Sequence, residues 1–176
     1  LNGVGKFHLV GHLDHGSPWG LGVSGTMKKN SIYREDMDVL SNGNYYQIMY
    51  TTSCEPGNFE NDCFAEHYVN APNGGGVAIL ANSGSVPAIL YTSQHSKLLQ
   101  SIYGSLSPTS YIMGVAFSNS RDATSDNTRQ RQLTFFGEPT MTTWSSTPQI
   151  ITLSVPTSVT IDNIIPNNLP VIINPL

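Results

Sequence analysis

Three short apolar runs, separated by segments with helical spacing, constrain this chain more than any other feature of its sequence. The runs are FHLVGHL at residues 7–13, YYQIMYTT at 45–52 and GVAILANS at 76–83, and each has the length and the β-branched or aromatic content of a strand. Between them, residues 31–43 and 61–71 show the spacing and end signals of short helices. Strands that alternate with helices at this distance predict a parallel sheet with crossover helices.

The C-terminal third of the chain changes character along its length. Two further segments show helical spacing, at residues 96–106 and 111–121, and a returning strand is expected after them. From Ser145 onward, prolines and short β-branched runs replace the helical pattern. We therefore predict an α/β domain over residues 1–145, followed by a linker and the first strands of an all-β module over residues 146–176.

The composition limits the classes of function. The chain has 176 residues and a net charge of −4, with no basic cluster longer than Lys28-Lys29, so nucleic acid is not an expected partner. It contains no apolar run of about 18 residues, so no membrane span is expected. Only 11% of the residues are charged, while Asn, Ser, Thr and Gly are abundant, which is more typical of an exported or cell-surface protein than of a cytosolic one.

Two of the predicted strands are followed by a reactive side chain close to a glycine. The stretch HLDHGS places His15 directly before Gly16, and YTTSCEPG places Cys54 three residues before Gly57. Ligands in open α/β sheets bind beyond the carboxyl ends of the strands. The segment between His15 and Cys54 is long enough for one crossover, so adjacent strands can bring the two residues together. A histidine beside a cysteine favours the thiolate and later protonates a leaving amine.

Backbone groups and the second cysteine complete this hypothesis. The N–H groups of Gly16 and Cys54 are candidates for an oxyanion hole, because a glycine lets the backbone approach a substrate carbonyl closely. Cys54 is the better candidate nucleophile, because Cys63 falls within a helical pattern, where a small buried thiol is common.

Other interpretations of the same residues remain open at this stage. A zinc site can be built from His12, His15 and Cys54, or with His67, although the H-x-x-H spacing lies at a strand end and not at helical spacing. Cys54 and Cys63 can alternatively form a disulfide that closes a small loop. Any single histidine can be a satisfied core or surface side chain, and His8 and His12, which share a strand face with Val10, are interpreted in that way.

Several blocks of the sequence together resemble the gingipain-like family of cysteine peptidases, a member of the caspase-like group. They are HLDHGS, SCEPGNFENDCFAEHYV, MGVAFSNSRD and LTFFGEPTM, and the resemblance runs from about residue 7 to about residue 144. The second block is the most specific, since it combines the cysteine, a glycine-phenylalanine turn and a Cys-x-Ala-Glu helix. Two positions depart from the family pattern: Asp14 stands where many relatives have glycine, and Glu138 stands where the closing segment usually has aspartate.

The resemblance implies a caspase-like, mostly parallel sheet flanked by helices, followed by an immunoglobulin-like module. It implies a hydrolase, a thiol protease in which Cys54 is the nucleophile, His15 is the general base and acid, and the backbone of Gly16 and Cys54 forms the oxyanion site. The family also implies a protein or peptide substrate, a secreted or cell-surface location and calcium as a structural ion whose site the sequence does not identify.

The family leaves two other functions open, namely a sortase-like transpeptidase of a secretion system and a catalytically silent structural or adhesive module. An accessible Cys54 thiol favours an enzyme, whereas a Cys54–Cys63 disulfide favours a structural role. Only six residues precede the predicted histidine strand, so we expect the remaining N-terminal part of the same protease as a partner. The stretch from Ser83 to Arg121 has no acidic residue and gives no indication of a pocket for arginine or lysine.

Overall fold

A computed structural model of the chain describes residues 7–23, 31–43, 45–85, 91–104, 106, 109–124 and 131–144, with two short stretches at 152–153 and 173–174. The backbone divides into two compact units, Leu1–Ser145 and Ser146–Leu176. Within the described residues, no helix has the length and apolar character needed to cross a bilayer.

The secondary-structure elements follow the predicted alternation of strands and helices. In chain order they are β1 (Leu9–His12), β2 (Gly16–Ser17), β3 (Gly20–Leu21), β4 (Ile32–Tyr33), α1 (Arg34–Asp38), β5 (Gln47–Thr51), α2 (Phe64–Asn70), β6 (Gly76–Asn82), α3 (Tyr91–Tyr103), α4 (Met113–Asp122), β7 (Leu133–Gly137), β8 (Thr152–Leu153) and β9 (Ile173–Asn174).

The first unit is organised around a four-stranded sheet with the order β1-β5-β6-β7. Strands β1, β5 and β6 run parallel, and β7 pairs antiparallel with β6. The predicted mostly parallel sheet with crossover helices is thereby confirmed. Strand β7 follows α3 and α4, as the sequence predicted, and its antiparallel direction is a finding of the structure.

Helices cover both faces of the central strands. On β5, Ile48 and Tyr50 face a core that includes Leu98 of α3 and Met113 of α4. Met49, between them in sequence, faces the opposite core, which contains Phe64 of α2. Because successive side chains of a strand point to opposite faces, a strand covered on both sides is apolar at consecutive positions. This arrangement explains the near-continuous apolar run of β5.

A second, smaller sheet follows the histidine. The sequence predicted a loop rich in glycine, serine and proline where β2 and β3 lie, and a short helix over residues 31–43, of which Ile32 and Tyr33 instead form β4. The sheet has the order β2-β3-β4, and each strand contains two residues. A Cβ added to Gly20 would lie 2.5 Å from the backbone oxygen of Ile32, so this strand pairing depends on glycine. Strands of two residues show no recognisable alternation, which is why the sequence pattern did not predict them.

The start of α2 differs from the sequence-based expectation of Asn61 or Asp62 as the N-cap. The N-cap is Cys63, with extended backbone at φ −108° and ψ 161°. Its backbone N–H donates to Glu66 Oε2 at 3.0 Å, as in a capping box. Asp62 instead accepts from the ring of His67, at 2.9 Å from Nε2. The Asp62 carboxylate therefore pairs with His67 and with Arg34 of α1, and does not cap the helix.

In the second unit, β8 and β9 pair antiparallel, with Thr152 opposite Asn174. Most of the immunoglobulin-like module predicted for residues 146–176 lies outside the described residues.

Candidate active site

The two candidate catalytic residues follow neighbouring strands of the main sheet. Strand β1 pairs parallel with β5, and the last pair in the register is His12 with Thr51. His15 and Cys54 each stand three residues beyond that pair. The structure therefore places both residues at the carboxyl edge of adjacent parallel strands, where α/β sheets bind ligands.

The loops that carry these residues are in direct contact. We call residues 13–16 the histidine loop and residues 52–57 the cysteine loop. A Cβ added to Gly16 would lie 2.5 Å from Ser53 Oγ, 2.6 Å from Ser53 Cβ and 3.1 Å from the backbone oxygen of Cys54. Only a residue without a side chain leaves the two backbones this close. The glycine after the histidine is thus required by the approach of the cysteine loop.

The end of β6 holds the cysteine loop in place. Asn82 Nδ2 donates to the Ser53 oxygen at 2.9 Å, and the Gly57 N–H donates to the Asn82 oxygen at 2.9 Å. Glu55 has φ of 65°, a left-handed conformation that is strained for glutamate. Its N–H donates to the Gly84 oxygen at 3.3 Å. The turn that follows Cys54 is therefore sharp and anchored to a third strand.

The two cysteines have different environments, and neither forms a disulfide bond. Cys54 is half-buried, whereas Cys63 is fully buried, and burial raises the pKa of the Cys63 thiol. A Cys54–Cys63 disulfide, one of the alternatives left open by the sequence, is therefore absent.

His15 itself is exposed, and its loop is shaped by a carboxylate. Its backbone N–H donates to Asp14 Oδ1 at 2.6 Å. Asp14 stands where many members of the resembling family have glycine, so in this chain the side chain of residue 14 binds the backbone next to it.

His12 is not available as a zinc ligand. Its Nδ1 lies 2.9 Å from Thr51 Oγ1 and its Nε2 lies 2.8 Å from the backbone oxygen of Gly22. Both ring nitrogens are therefore engaged within the protein. Among the residues that the structure describes, no group of three or more histidine, cysteine, aspartate or glutamate side chains is arranged to hold a metal ion.

His67, the other histidine considered for zinc, forms ion pairs between α1 and α2. Its Nδ1 lies 2.7 Å from Asp38 Oδ1 and its Nε2 lies 2.9 Å from Asp62 Oδ1. Partial burial acts to lower the pKa of His67, but the two carboxylate hydrogen bonds outweigh it and raise that pKa above its ordinary value. The role of His67 is therefore to bind the two helices together.

Exposed apolar side chains lie in the segments around the two loops. Leu13 precedes the candidate histidine and is 48% exposed, and Trp19 in the β2–β3 turn is 55% exposed. Phe59, shortly after the cysteine loop, is 61% exposed. Single exposed apolar side chains are common on protein surfaces, so it is their position next to the two loops that relates them to the candidate site.

Sequence reasoning missed three polar residues that shape the site, namely Thr51, Ser53 and Asn82. All three are buried, and each lies at or just beyond the carboxyl end of a strand. A polar residue that ends an apolar strand is the only signal in the sequence that points to them, because their partners are distant in the chain.

Comparison with known proteins agrees with this architecture. The sheet, its two helical layers and the adjoining loops at the carboxyl edge define the caspase-like type of α/β fold. The model of peptidase family C25 matches residues 2–144, which is most of the chain. The chain therefore belongs to peptidase family C25, the gingipain family, as the sequence blocks indicated. A search of curated protein sequences gives no significant match.

Three solved structures share the fold. The Arg-specific cysteine proteinase gingipain R, RgpB, is 20% identical with a TM-score of 0.69, and the match covers 86% of this chain and 37% of that one. The complex of Porphyromonas gingivalis RgpB pro- and mature domains is 19% identical with a TM-score of 0.64, covering 86% and 38%. A further protease is 13% identical with a TM-score of 0.62, covering 87% and 39%. The chain thus spans less than two fifths of the length of these structures.

Proposed function

We propose that this chain carries the catalytic dyad of a cysteine endopeptidase that hydrolyses peptide bonds through an acyl-enzyme. The observation that carries the proposal is the contact of the histidine loop with the cysteine loop at Gly16 and Ser53, beyond the paired ends of β1 and β5. Membership of peptidase family C25 supports the same activity.

In the proposed mechanism, His15 takes the proton of the Cys54 thiol, and the thiolate attacks the carbonyl carbon of the scissile peptide bond. The tetrahedral intermediate collapses as the carbon–nitrogen bond breaks, and the His15 imidazolium gives its proton to the leaving amine. Water, deprotonated by His15, then attacks the thioester, releasing the new carboxyl group and the Cys54 sulfur.

The backbone N–H groups of Gly16 and Cys54 are the proposed donors to the oxyanion. Two observations support their placement. Gly16 lies against the cysteine loop, and the left-handed turn at Glu55 reverses the chain directly after the nucleophile. Preorganised donors of this kind stabilise charge that develops on the carbonyl oxygen.

Protein or peptide substrates are proposed, and the exposed Leu13, Trp19 and Phe59 support an apolar contact with them. We further propose that the remaining N-terminal part of the same protease packs beside β1. Among the described strands, β1 pairs on one side only, with β5, and the chain spans 37–39% of its solved relatives. A secreted or cell-surface location is proposed from family membership and from the low content of charged residues. Calcium as a structural ion is proposed from family membership alone, and no ligand is assigned to it.

The proposal is tested by thiol labelling and hydrolysis in parallel. Iodoacetamide, applied to the full chain at near-neutral pH, should alkylate Cys54 well ahead of the buried Cys63, and peptide mass spectrometry reports each site separately. Cleavage of fluorescein-labelled casein, with the rest of the protease present, should disappear in Cys54→Ala. His15→Ala should slow both the labelling of Cys54 and the cleavage.

Cys63→Ala is the matched control, since it removes the other thiol and should leave cleavage at the level of the unaltered protein. Casein cleavage that survives Cys54→Ala would reject the nucleophile assignment. Equal labelling of the two cysteines in the folded protein would reject the activated thiol.

A further inference from the structure

A chain of hydrogen bonds runs beneath the two loops of the proposed site. His12 ends β1 and Thr51 ends β5, and the two are paired in the sheet register. His12 Nδ1 lies 2.9 Å from Thr51 Oγ1, which lies 2.7 Å from Ser53 Oγ. On the other side of the ring, His12 Nε2 lies 2.8 Å from the Gly22 oxygen. Thr51 and Ser53 have no exposed surface, so these bonds are shielded from water.

With a neutral His12 ring, the direction of every bond in this chain follows from the fact that a carbonyl oxygen only accepts. His12 Nε2 therefore carries the proton and donates to the Gly22 oxygen. In the neutral ring, Nδ1 then accepts from the Thr51 hydroxyl. The Thr51 oxygen in turn accepts from the Ser53 hydroxyl, and also from the Ser53 N–H at 3.3 Å. Each hydroxyl hydrogen has one acceptor, so the chain is fully satisfied in a single arrangement.

Each end of the chain touches one of the two loops. At one end, Ser53 directly precedes Cys54, and its side chain lies against Gly16. At the other end, Gly22, whose oxygen accepts from His12, donates its own N–H to the His15 oxygen at 2.7 Å. The His12 ring thus connects the backbone of the proposed base to the residue before the proposed nucleophile.

We infer that His12 is a positioning residue, which through Thr51 and Ser53 sets the placement of Cys54 relative to His15. This inference rests on the proposed function, because it concerns the geometry of the same dyad. His12 itself lies within the sheet and has both ring nitrogens engaged by protein groups, so it acts on the reaction through its hydrogen bonds alone.

A histidine that only fills a polar gap in the core would affect stability and nothing else. A positioning residue would also change how strongly His15 and Cys54 depend on each other. The decisive measurement is therefore a comparison of two ratios. The first ratio is the rate constant for iodoacetamide at Cys54 in the unaltered chain divided by that in His15→Ala. The second is the same ratio measured for proteins that also carry His12→Leu. Circular dichroism melts establish that each protein is folded at the assay temperature.

We expect His12→Leu to lower kcat for casein cleavage by roughly ten- to a hundred-fold, the scale of a misplacement of about 1 Å. We also expect the effect of His15→Ala on Cys54 labelling to shrink several-fold in the His12→Leu background. Thr51→Val, which is nearly isosteric, should reproduce both effects, and the double variant should be little worse than either single variant, since both break the same chain.

Conservative variants and a second histidine provide the controls. His12→Asn retains a polar atom near Nδ1, and His12→Gln retains one near Nε2, so each should restore part of the lost kcat. His8 precedes β1, and its Nε2 accepts the backbone N–H of Trp144 at 3.0 Å, away from this chain of bonds. His8→Leu should therefore leave the coupling of His15 and Cys54 unchanged.

The proposed function and the positioning role of His12 are tested by separate outcomes. If Cys54→Ala retains cleavage, the proposed function is wrong. If Cys54→Ala abolishes cleavage and His15→Ala slows it, while His12→Leu and Thr51→Val retain both kcat and the coupling, only the positioning role is wrong. Should His12→Leu fail to fold, Thr51→Val decides the question, because it preserves the shape of the core.

Discussion

Gly16 is the position at which a single methyl group tests the proposed geometry most sharply. In Gly16→Ala, the new Cβ would lie 2.6 Å from Ser53 Cβ, whereas carbon atoms in ordinary contact stand about 3.5–4.0 Å apart. The two loops must therefore separate by about 1 Å, the difference between these values.

The histidine loop is the part expected to move. Ser53 is fully buried, its hydroxyl lies 2.7 Å from Thr51 Oγ1, and its backbone oxygen accepts from Asn82. Displacing Ser53 would break these buried hydrogen bonds, each of which costs about 1–3 kcal/mol when a partner is left unsatisfied. The exposed His15 carries no comparable restraint on its side chain.

The expected result is a large loss of activity with a moderate loss of stability. A misplacement of about 1 Å between reacting groups corresponds to roughly a hundred-fold in kcat/KM. Overpacking of this kind lowers the free energy of unfolding by about 1–3 kcal/mol. For a chain of this length, each kcal/mol lowers the melting temperature by about 2–4 °C.

The assay combines casein cleavage with thermal unfolding followed by circular dichroism. Gly43→Ala is the matched control, since Gly43 has φ of +56° and open space around its position. Alanine there is strained by about 1 kcal/mol without any clash near the site. It should lower the melting temperature while leaving kcat/KM unchanged. A folded Gly16→Ala protein with the kcat/KM of the unaltered chain would refute the reasoning.

Three further predictions concern parts of the fold around the site. Because the pKa of His67 is raised, its ion pairs with Asp38 and Asp62 stabilise the fold fully below the unfolded histidine pKa of about 6.5. That stability is lost as pH rises through the folded pKa. His67→Gln should therefore flatten the fall in melting temperature with increasing pH, and an unchanged pH profile would contradict the assignment. Glu55→Val places a β-branched residue at φ 65°, where it is more strained than glutamate, and removes the Ser85 Oγ hydrogen bond to Glu55 Oε1. The free energy of unfolding in urea should therefore fall by about 1 kcal/mol, whereas an unchanged midpoint would show that the turn relaxes. Gly75→Ala, at φ +79° before β6, should lower the melting temperature. It should leave kcat/KM of the folded protein unchanged, because Gly75 lies at the opposite end of β6 from the site. A selective loss of kcat/KM would contradict this expectation.

Local pattern was sufficient to predict the scaffold of this protein. Apolar runs of strand length gave β1, β5 and β6 in their places, and helical spacing gave α1 to α4. These elements bury apolar faces, and the residues of such a face recur at short, regular intervals that can be recognised in the sequence. The order of strands and helices then restricted the topology to a mostly parallel sheet.

The ends of the elements were less predictable. The strands β2, β3 and β4 contain two residues each, and α2 begins after Cys63 and not at Asn61 or Asp62. At the ends of elements, several local hydrogen bonds of similar strength are available to the chain. Contacts with residues distant in sequence determine which of them forms. Asp62 is one case, because its carboxylate pairs with Arg34 of α1, which is 28 residues away in the chain.

The candidate site was also predictable from the sequence only in part. The sequence by itself determined that a histidine-glycine pair and a cysteine follow two strand-forming runs, because those signals are local in the chain. Only the tertiary structure decided that Gly16 meets Ser53 and that His12, considered from sequence as a core side chain, joins Gly22 to Thr51. His12 and Thr51 are 39 residues apart in the chain. Hydrogen bonds at such separations exist only after the strands have paired in one register, so no periodicity along the sequence can report them.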